Sequence, residues 1–183
     1  MSDQIAKQTS EELDERQQEL AAAEGDAYQR SLQHMVETVA HTGEMTQEGE
    51  YVIAVAQEEA EGLYHLRDDG ECEWVEPSNA ENCHLEVAVA DAADGRFIPE
   101  LSVQVTLAAH DDGEVGPVDM DLLWHPGLYH YGENVHLPGD GAYDVKVTVE
   151  PPTFRRHDEV NGDRYGEPVT VLFEGLDLKT GQS

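Results

Sequence analysis

The apolar positions of this chain follow two rhythms. In the first fifty residues, Tyr28, Leu32, Met35, Val36 and Val39 fall at helical spacing and form one apolar face. Ahead of them, "ELDERQQELAAAEG" is rich in good helix formers and runs to Gly25. Thr9 and Glu12 stand in T-x-x-E spacing, a capping-box signature. The pattern predicts two helical stretches, the second ending near residues 41–43, and then "TGEMTQEGE" as a polar linker. The apolar stripe needs a surface to pack on, either the main domain or a partner chain.

From Tyr51 the period changes to two. "YVIAVAQEEAEG", "HLEVAVADA", "LSVQVTLAAH", "AYDVKVTVEPP" and "PVTVLFEGL" read as strands, separated by Gly, Pro, Asp and Asn clusters. Val145, Val147 and Val149 face one way, and Lys146 and Thr148 the other. Short strands with no intervening helical pattern predict a mainly β protein, an immunoglobulin-like antiparallel β-sandwich with an N-terminal helical extension. The expected division is 1–49 for the helical extension and linker and 50–183 for the sandwich.

Charge changes the picture next. Lys+Arg is 10 against 40 Asp+Glu, a formal net charge of -30. Such a surface repels phosphate backbones and anionic lipid heads, which argues against nucleic-acid and membrane-surface partners. The lysines are Lys7, Lys146 and Lys179, and the remaining basic residues are arginines. Carboxylates spread along the whole chain, with so few lysines, point to a salt-adapted, halophilic protein, since the Debye length falls to about 3 Å at 1 M salt. The alternative is a merely acidic protein with disordered tails. Most single Asp and Glu residues are therefore expected to serve solvation. Cys72 and Cys83 lack a C-x-x-C spacing and are expected to be free thiols. The first residues, "MSDQIAKQTSEELDERQQEL", show neither an apolar h-region nor a basic n-region, so the expected location is cytoplasmic. No run approaches the roughly 20 apolar residues of a membrane span.

Histidines carry the candidate chemistry. Residues 121–138, "DLLWHPGLYHYGENVHLP", hold His125, His130 and His136. In "CHLEVAV", His84 and Glu86 are two apart and leave the same face of a strand, a bidentate seed for a metal. "EPPTFRRHDE" places His157 just after the rigid Pro151 and Pro152. His34 and His41 are seven apart, too far along a helix to share one ion, and are set aside. Each histidine also has a plainer reading: a solvent-facing strand residue for His84 and His136, a packed residue beside Tyr131 for His130. Imidazole suits copper, iron, nickel and zinc, and a carboxylate in the set tilts toward iron or copper.

The order of "CHLEVAV", "YHYGENVHLPGDGAYDVKVTVEPPTFRRHD" and "NGDRYGEPVTVLFEGL" resembles the periplasmic ferrous-iron transport protein family over residues 51–178. The resemblance implies a small immunoglobulin-like metal-binding protein that supports iron uptake and dimerises. It implies metal ligands at His84 and Glu86 (the H-L-E strand), His130 (the H-Y-G turn) and His157 (after E-P-P). It also implies a methionine seven residues before the H-Y-G histidine, where this chain has Leu123. His125 is the expected substitute, with Met120 three residues upstream of Leu123 as the alternative. An imidazole in place of a thioether favours divalent over cuprous ions. Gly132 is expected to give the backbone a sharp turn beside the ion, Asn134 and Tyr131 to orient imidazoles, and Arg155 and Arg156 to pair with surface carboxylates.

These observations lead to a non-enzymatic binder of a divalent transition metal, copper or iron, with His84, Glu86, His125, His130 and His157 as ligands. The expected partners are the metal ion, a second copy in a homodimer, and a membrane iron transporter or metal-acceptor protein. The alternatives are a non-haem iron enzyme with a 2-His-1-carboxylate site, and a metal-free interaction module using the helices.

Overall fold

The computed structural model describes residues 6–110 and 113–181. Helix α1 spans Glu15–His34 and passes into a π-helical turn over Met35–Val39. Its capping box is Asp14 and Gln17, not Thr9 and Glu12: Asp14 Oδ1 accepts from the Gln17 amide, and the Asp14 amide donates to Gln17 Oε1. The residues around Thr9 tie down elsewhere, with the Gln8 amide on Asn161 Oδ1 and Ser10 Oγ on Asp158 Oδ2.

The two predicted helical stretches are one helix. It runs through Gly25, which is buried; a Cβ there would lie 1.6 Å from the carbonyl oxygen of Asp94. The glycine allows close approach of helix to turn, and that need outweighs its cost of about 1 kcal/mol within a helix. The apolar stripe packs on the sheet: Leu32 and Met35 bury against Ala54, Ala56 and Ala88. Small residues on the strands let the helix lie close.

Ten strands follow among the described residues: β1 Thr42–Glu48, β2 Tyr51–Glu58, β3 Leu63–Leu66, β4 Cys72–Val75, β5 Cys83–Asp91, β6 Ser102–Ala109, β7 Gly113–Trp124, β8 Tyr129–Val135, β9 Gly141–Glu150 and β10 Val169–Leu178. The expected linker is strand β1, paired along its whole length with β2 from Thr42↔Gln57 to Glu48↔Tyr51. Its polar sequence suits an edge strand, where charged side chains protect an open edge.

Eight strands form one antiparallel ribbon in the order β1-β2-β5-β8-β7-β6-β9-β10. Strand β7 is the fold line. Its first part pairs with β6 (Val105↔Val118, Val103↔Met120), and its last four residues pair with β8 (Asp121↔Gly132 to Trp124↔Tyr129). The ribbon therefore doubles into two layers, and Thr42 Oγ1 donates to the Asp177 carbonyl at 2.7 Å across the far edges. The result is a nearly closed sandwich, as the alternation predicts. Ile53, Val55, Leu85 and Val87 of one layer meet Val105, Val145, Val147 and Phe173 of the other in the main core. Strands β3 and β4 form a separate hairpin. Cys72 and Cys83 are free thiols, the first exposed and the second buried.

Candidate metal centre

Strand β5 is buried along its whole length, but its two faces differ. Leu85, Val87 and Val89 point into the main core, while Ala88 lies under the helix. His84 and Glu86 share the parity of Ala88, so the period of two puts them on the helix-covered face. The neighbouring strand β8 brings in His130, which pairs with Leu123 of β7. One ligand atom from each of His84, Glu86 and His130 lies within 4.8 Å of the others. All three residues are buried, at 0, 5 and 3% exposure.

The electrostatics of the cluster suit a cation. His84 Nε2, Glu86 Oε2 and both ring nitrogens of His130 are buried without a hydrogen-bond partner among the described residues. Buried polar atoms of this kind cost about 1–3 kcal/mol each. Burial, aided by Glu58 and Glu61, raises Glu86 to about 8. Burial, with His84 and His125 nearby, lowers His130 to about 4. At neutral pH both groups are predominantly uncharged, so the 3.4 Å approach of His130 Nε2 to Glu86 Oε1 is not an ion pair. A metal ion would supply the missing partner to His84 Nε2, to the Glu86 carboxylate and to one ring nitrogen of His130, and draw the proton from Glu86. The donor set, two imidazoles and a carboxylate, fits a divalent transition metal.

Asn134 fixes which nitrogen of His84 can bind. Its Oδ1 accepts from the Glu61 amide at 3.2 Å, and its Nδ2 donates to the Glu61 carbonyl at 2.8 Å. This pair of bonds sets the amide orientation. Asn134 Oδ1 then faces His84 Nδ1 at 3.0 Å, so Nδ1 carries the hydrogen and Nε2 offers its lone pair to the cluster. Gly132 also matters, but for room rather than for a turn. It lies within β8, and a Cβ there would come 2.9 Å from His84 Nε2 and 2.8 Å from Leu123 Cδ1.

The other predicted residues divide. The His125 ring lies 6.1 Å from that of His130, centroid to centroid. Its Nδ1 accepts from the Gly127 amide at 3.0 Å, so in the neutral ring Nε2 carries the hydrogen. His157 lies apart from the cluster: its side chain is 91% exposed and its Nδ1 faces Glu12 at 3.4 Å. Met120 is buried in the main core and pairs with Val103. Tyr131 does not orient an imidazole. Its hydroxyl donates to the Ile98 carbonyl and accepts from the Leu101 amide, within the core. His136 is exposed, with Nδ1 at 2.7 Å from the Ala80 carbonyl. Arg156 lies over the Phe154 ring.

Three residues went unforeseen. A cavity of about 220 Å³ opens beside the cluster, and Glu58, Glu61 and His34 line it together with Glu86, His125 and His130. Glu58 stands opposite His84 in the β2–β5 register. Only strand pairing reveals that, since the two are distant in sequence. The spacing argument that set His34 aside tested it against His41 alone and not against residues across the fold.

Comparison with known proteins agrees with this geometry. A family model for an Fe2+ transport protein matches residues 35–175. UPF0423 proteins of Brucella abortus and Brucella suis are 31% identical over 122 residues, covering 58% of this chain. The chain spans 66% of the length of those relatives, just under two thirds. Among solved structures, FetP of uropathogenic E. coli strain F11 superposes with a TM-score of 0.62 at 24% identity, covering 76% of this chain and 95% of FetP. Copper-reconstituted P19 of Campylobacter jejuni gives a TM-score of 0.63 at 18% identity, covering 76% and 96%. The solved structures support the sandwich fold. The cytoplasmic expectation is overturned by this likeness, since FetP was obtained from the periplasm. That expectation rested on the first residues alone, and an export signal is a short removable segment that says nothing about the folded domain. No helix among the described residues is long and apolar enough to cross a membrane. With the match covering residues 35–175, the chain belongs to the Fe2+ transport protein family.

Proposed function

We propose that this protein binds a divalent transition metal, copper or iron, at His84, Glu86 and His130 and passes it on to another protein. One observation carries the reading: buried, unpartnered donor atoms of three residues converge on one point. The copper-bound state of P19 supports copper as one cargo, and the family supports iron. His125 is the fourth donor, supplying an imidazole from the mouth of the site. The recipient is a membrane iron transporter or a metal-acceptor protein. The 2-His-1-carboxylate composition also occurs in non-haem iron enzymes. Here Glu58 and Glu61 line the approach and would repel an anionic cosubstrate.

His157 completes the ligand set only from a second copy, in a homodimer. Its exposure and its place outside the three-residue cluster of its own chain support that arrangement. Titration with copper(II) or iron(II) in concentrated salt, where loose binding to surface carboxylates is screened, tests the main reading. The expected result is one tight site per chain that Glu86→Gln and His130→Ala each abolish. A wild-type protein with no tight site would refute it. For the second copy, His84→Ala and His157→Ala chains are mixed. Sites built across two chains recover part of the tight binding in the mixture; sites within one chain recover none. His125→Ala should weaken affinity and alter the copper(II) spectrum, and an unchanged spectrum removes His125 from the ligand set.

A further inference from the structure

The cavity beside the cluster has an inner and an outer part. Glu86 and His130 stand at its inner end, buried and with unpartnered atoms. At its outer end are His34, Glu61 and His125, all exposed, and Glu58, half-buried. Donors of the same kinds, imidazole and carboxylate, thus run from solvent to the buried cluster. His34 comes from the last turn of α1, and Met35 and Val39 of the π turn form the neighbouring wall. A π turn adds a residue to the helical repeat and shifts the side chains around it, and such turns often mark functional sites.

The helix is firmly held in this position. Tyr28 Oη donates to the Tyr129 carbonyl at 2.8 Å, one residue from His130, and Gln29 Nε2 donates to the Gly95 carbonyl at 3.0 Å. Leu32 and Met35 are buried against the sheet. His34 is therefore fixed at the cavity rather than sampling it. Helix α1 ends at His34, immediately before residues 35–175, the part that matches the family.

We propose that His34, Glu58 and Glu61 form an outer cation subsite, where a hydrated divalent transition metal docks before it passes inward to His84, Glu86 and His130. His125, at the outer end of the same cavity, takes part in the transfer. The proposal rests on the metal-binding reading above. Its basis is a cavity shared by exposed donors and buried, unpartnered ones. In a chain so negative overall, a diffuse field attracts cations everywhere. A local pair of carboxylates with an imidazole is what directs them to this opening.

Stopped-flow loading with copper(II) in 1 M salt tests it, using the full chain. The triple variant His34→Ala, Glu58→Gln, Glu61→Gln is compared with Glu150→Gln, Glu174→Gln, which removes the same number of carboxylates from exposed positions on β9 and β10. The expected result is a loading rate lowered about tenfold or more in the triple variant and unchanged in the control. One metal per chain is still taken up at the end point. Equal rates in the triple variant and wild type, or equal slowing in the control, would overturn the outer subsite while leaving the inner site standing. A wild-type protein that takes up no copper at the end point would instead overturn the metal-binding reading itself. Circular dichroism of the triple variant confirms that α1 is retained, and the single Glu58→Gln variant, slowed less but measurably, repeats the test without altering the helix.

Discussion

At the residue scale, the centre depends on groups that serve each other rather than on the ligands alone. Asn134 holds His84 in the tautomer that frees Nε2. Asn134→Leu removes that hold and should weaken metal affinity 10–100-fold with the fold intact, as competition titration would show. Gly132→Ala should do similar damage by pushing on His84 Nε2 and Leu123. The proton on Glu86 gives a further prediction. Its carboxyl rises from 4.5 to about 8 in the folded protein, so metal binding near pH 7 displaces close to one proton from it. Calorimetry in buffers of different ionisation heats should detect that release, and affinity should fall as pH drops below about 8. The metal-free fold carries the opposite sign. Between about 6.5 and 8 the folded protein holds a proton on Glu86 that the unfolded chain lacks, so stability decreases as pH rises, by on the order of 2 kcal/mol. Below 6.5, His130 offsets this, because folding lowers its affinity for a proton. Chemical denaturation at pH 6.5 and 8, with and without metal, measures the difference.

Legibility at this scale followed the physics. His84 and Glu86 stood out because a period of two fixes which strand residues share a face. His130 stood out through its motif. Glu58 and Glu61 looked like solvation because their neighbourhood is set by strand register, which no local pattern shows.

At the scale of elements, the helix is a structural cover for the centre. Its stripe was readable, and so was its need for a partner surface. Its continuity was not, because Gly25 signals a stop unless the close contact with Asp94 is known. Strand β1 escaped notice for a related reason: an edge strand needs only half its face buried, so it keeps a polar sequence. Strand β8 and the last four residues of β7 fall within the histidine-rich stretch, whose donors stand out more than its pairing. Gly25→Ala should force the helix away from the turn at Asp94 and cost roughly 1–3 kcal/mol of stability. Thermal unfolding measures that cost. Loss of the helix contact should also make His130 more accessible, seen as faster exchange of its ring signals with solvent.

At the scale of the molecule, alternating strands made a sandwich the expected fold. The doubling of a single ribbon at β7 was not readable, since one strand serves both layers through its pairing and not its composition. The net charge of -30 sets the conditions under which the fold is stable. Self-repulsion falls as the Debye length shortens, so the melting temperature should rise steadily between 0.1 and about 2 M salt. A flat response would show that the carboxylates repel one another too little to matter.

The central claim is that His84, Glu86 and His130 hold one ion beneath the helix. Anomalous diffraction from crystals loaded with copper or iron tests it most directly. The account predicts a strong peak per chain in contact with His84 Nε2, Glu86 and His130. A peak confined to surface carboxylates, or none in this cluster, would contradict it.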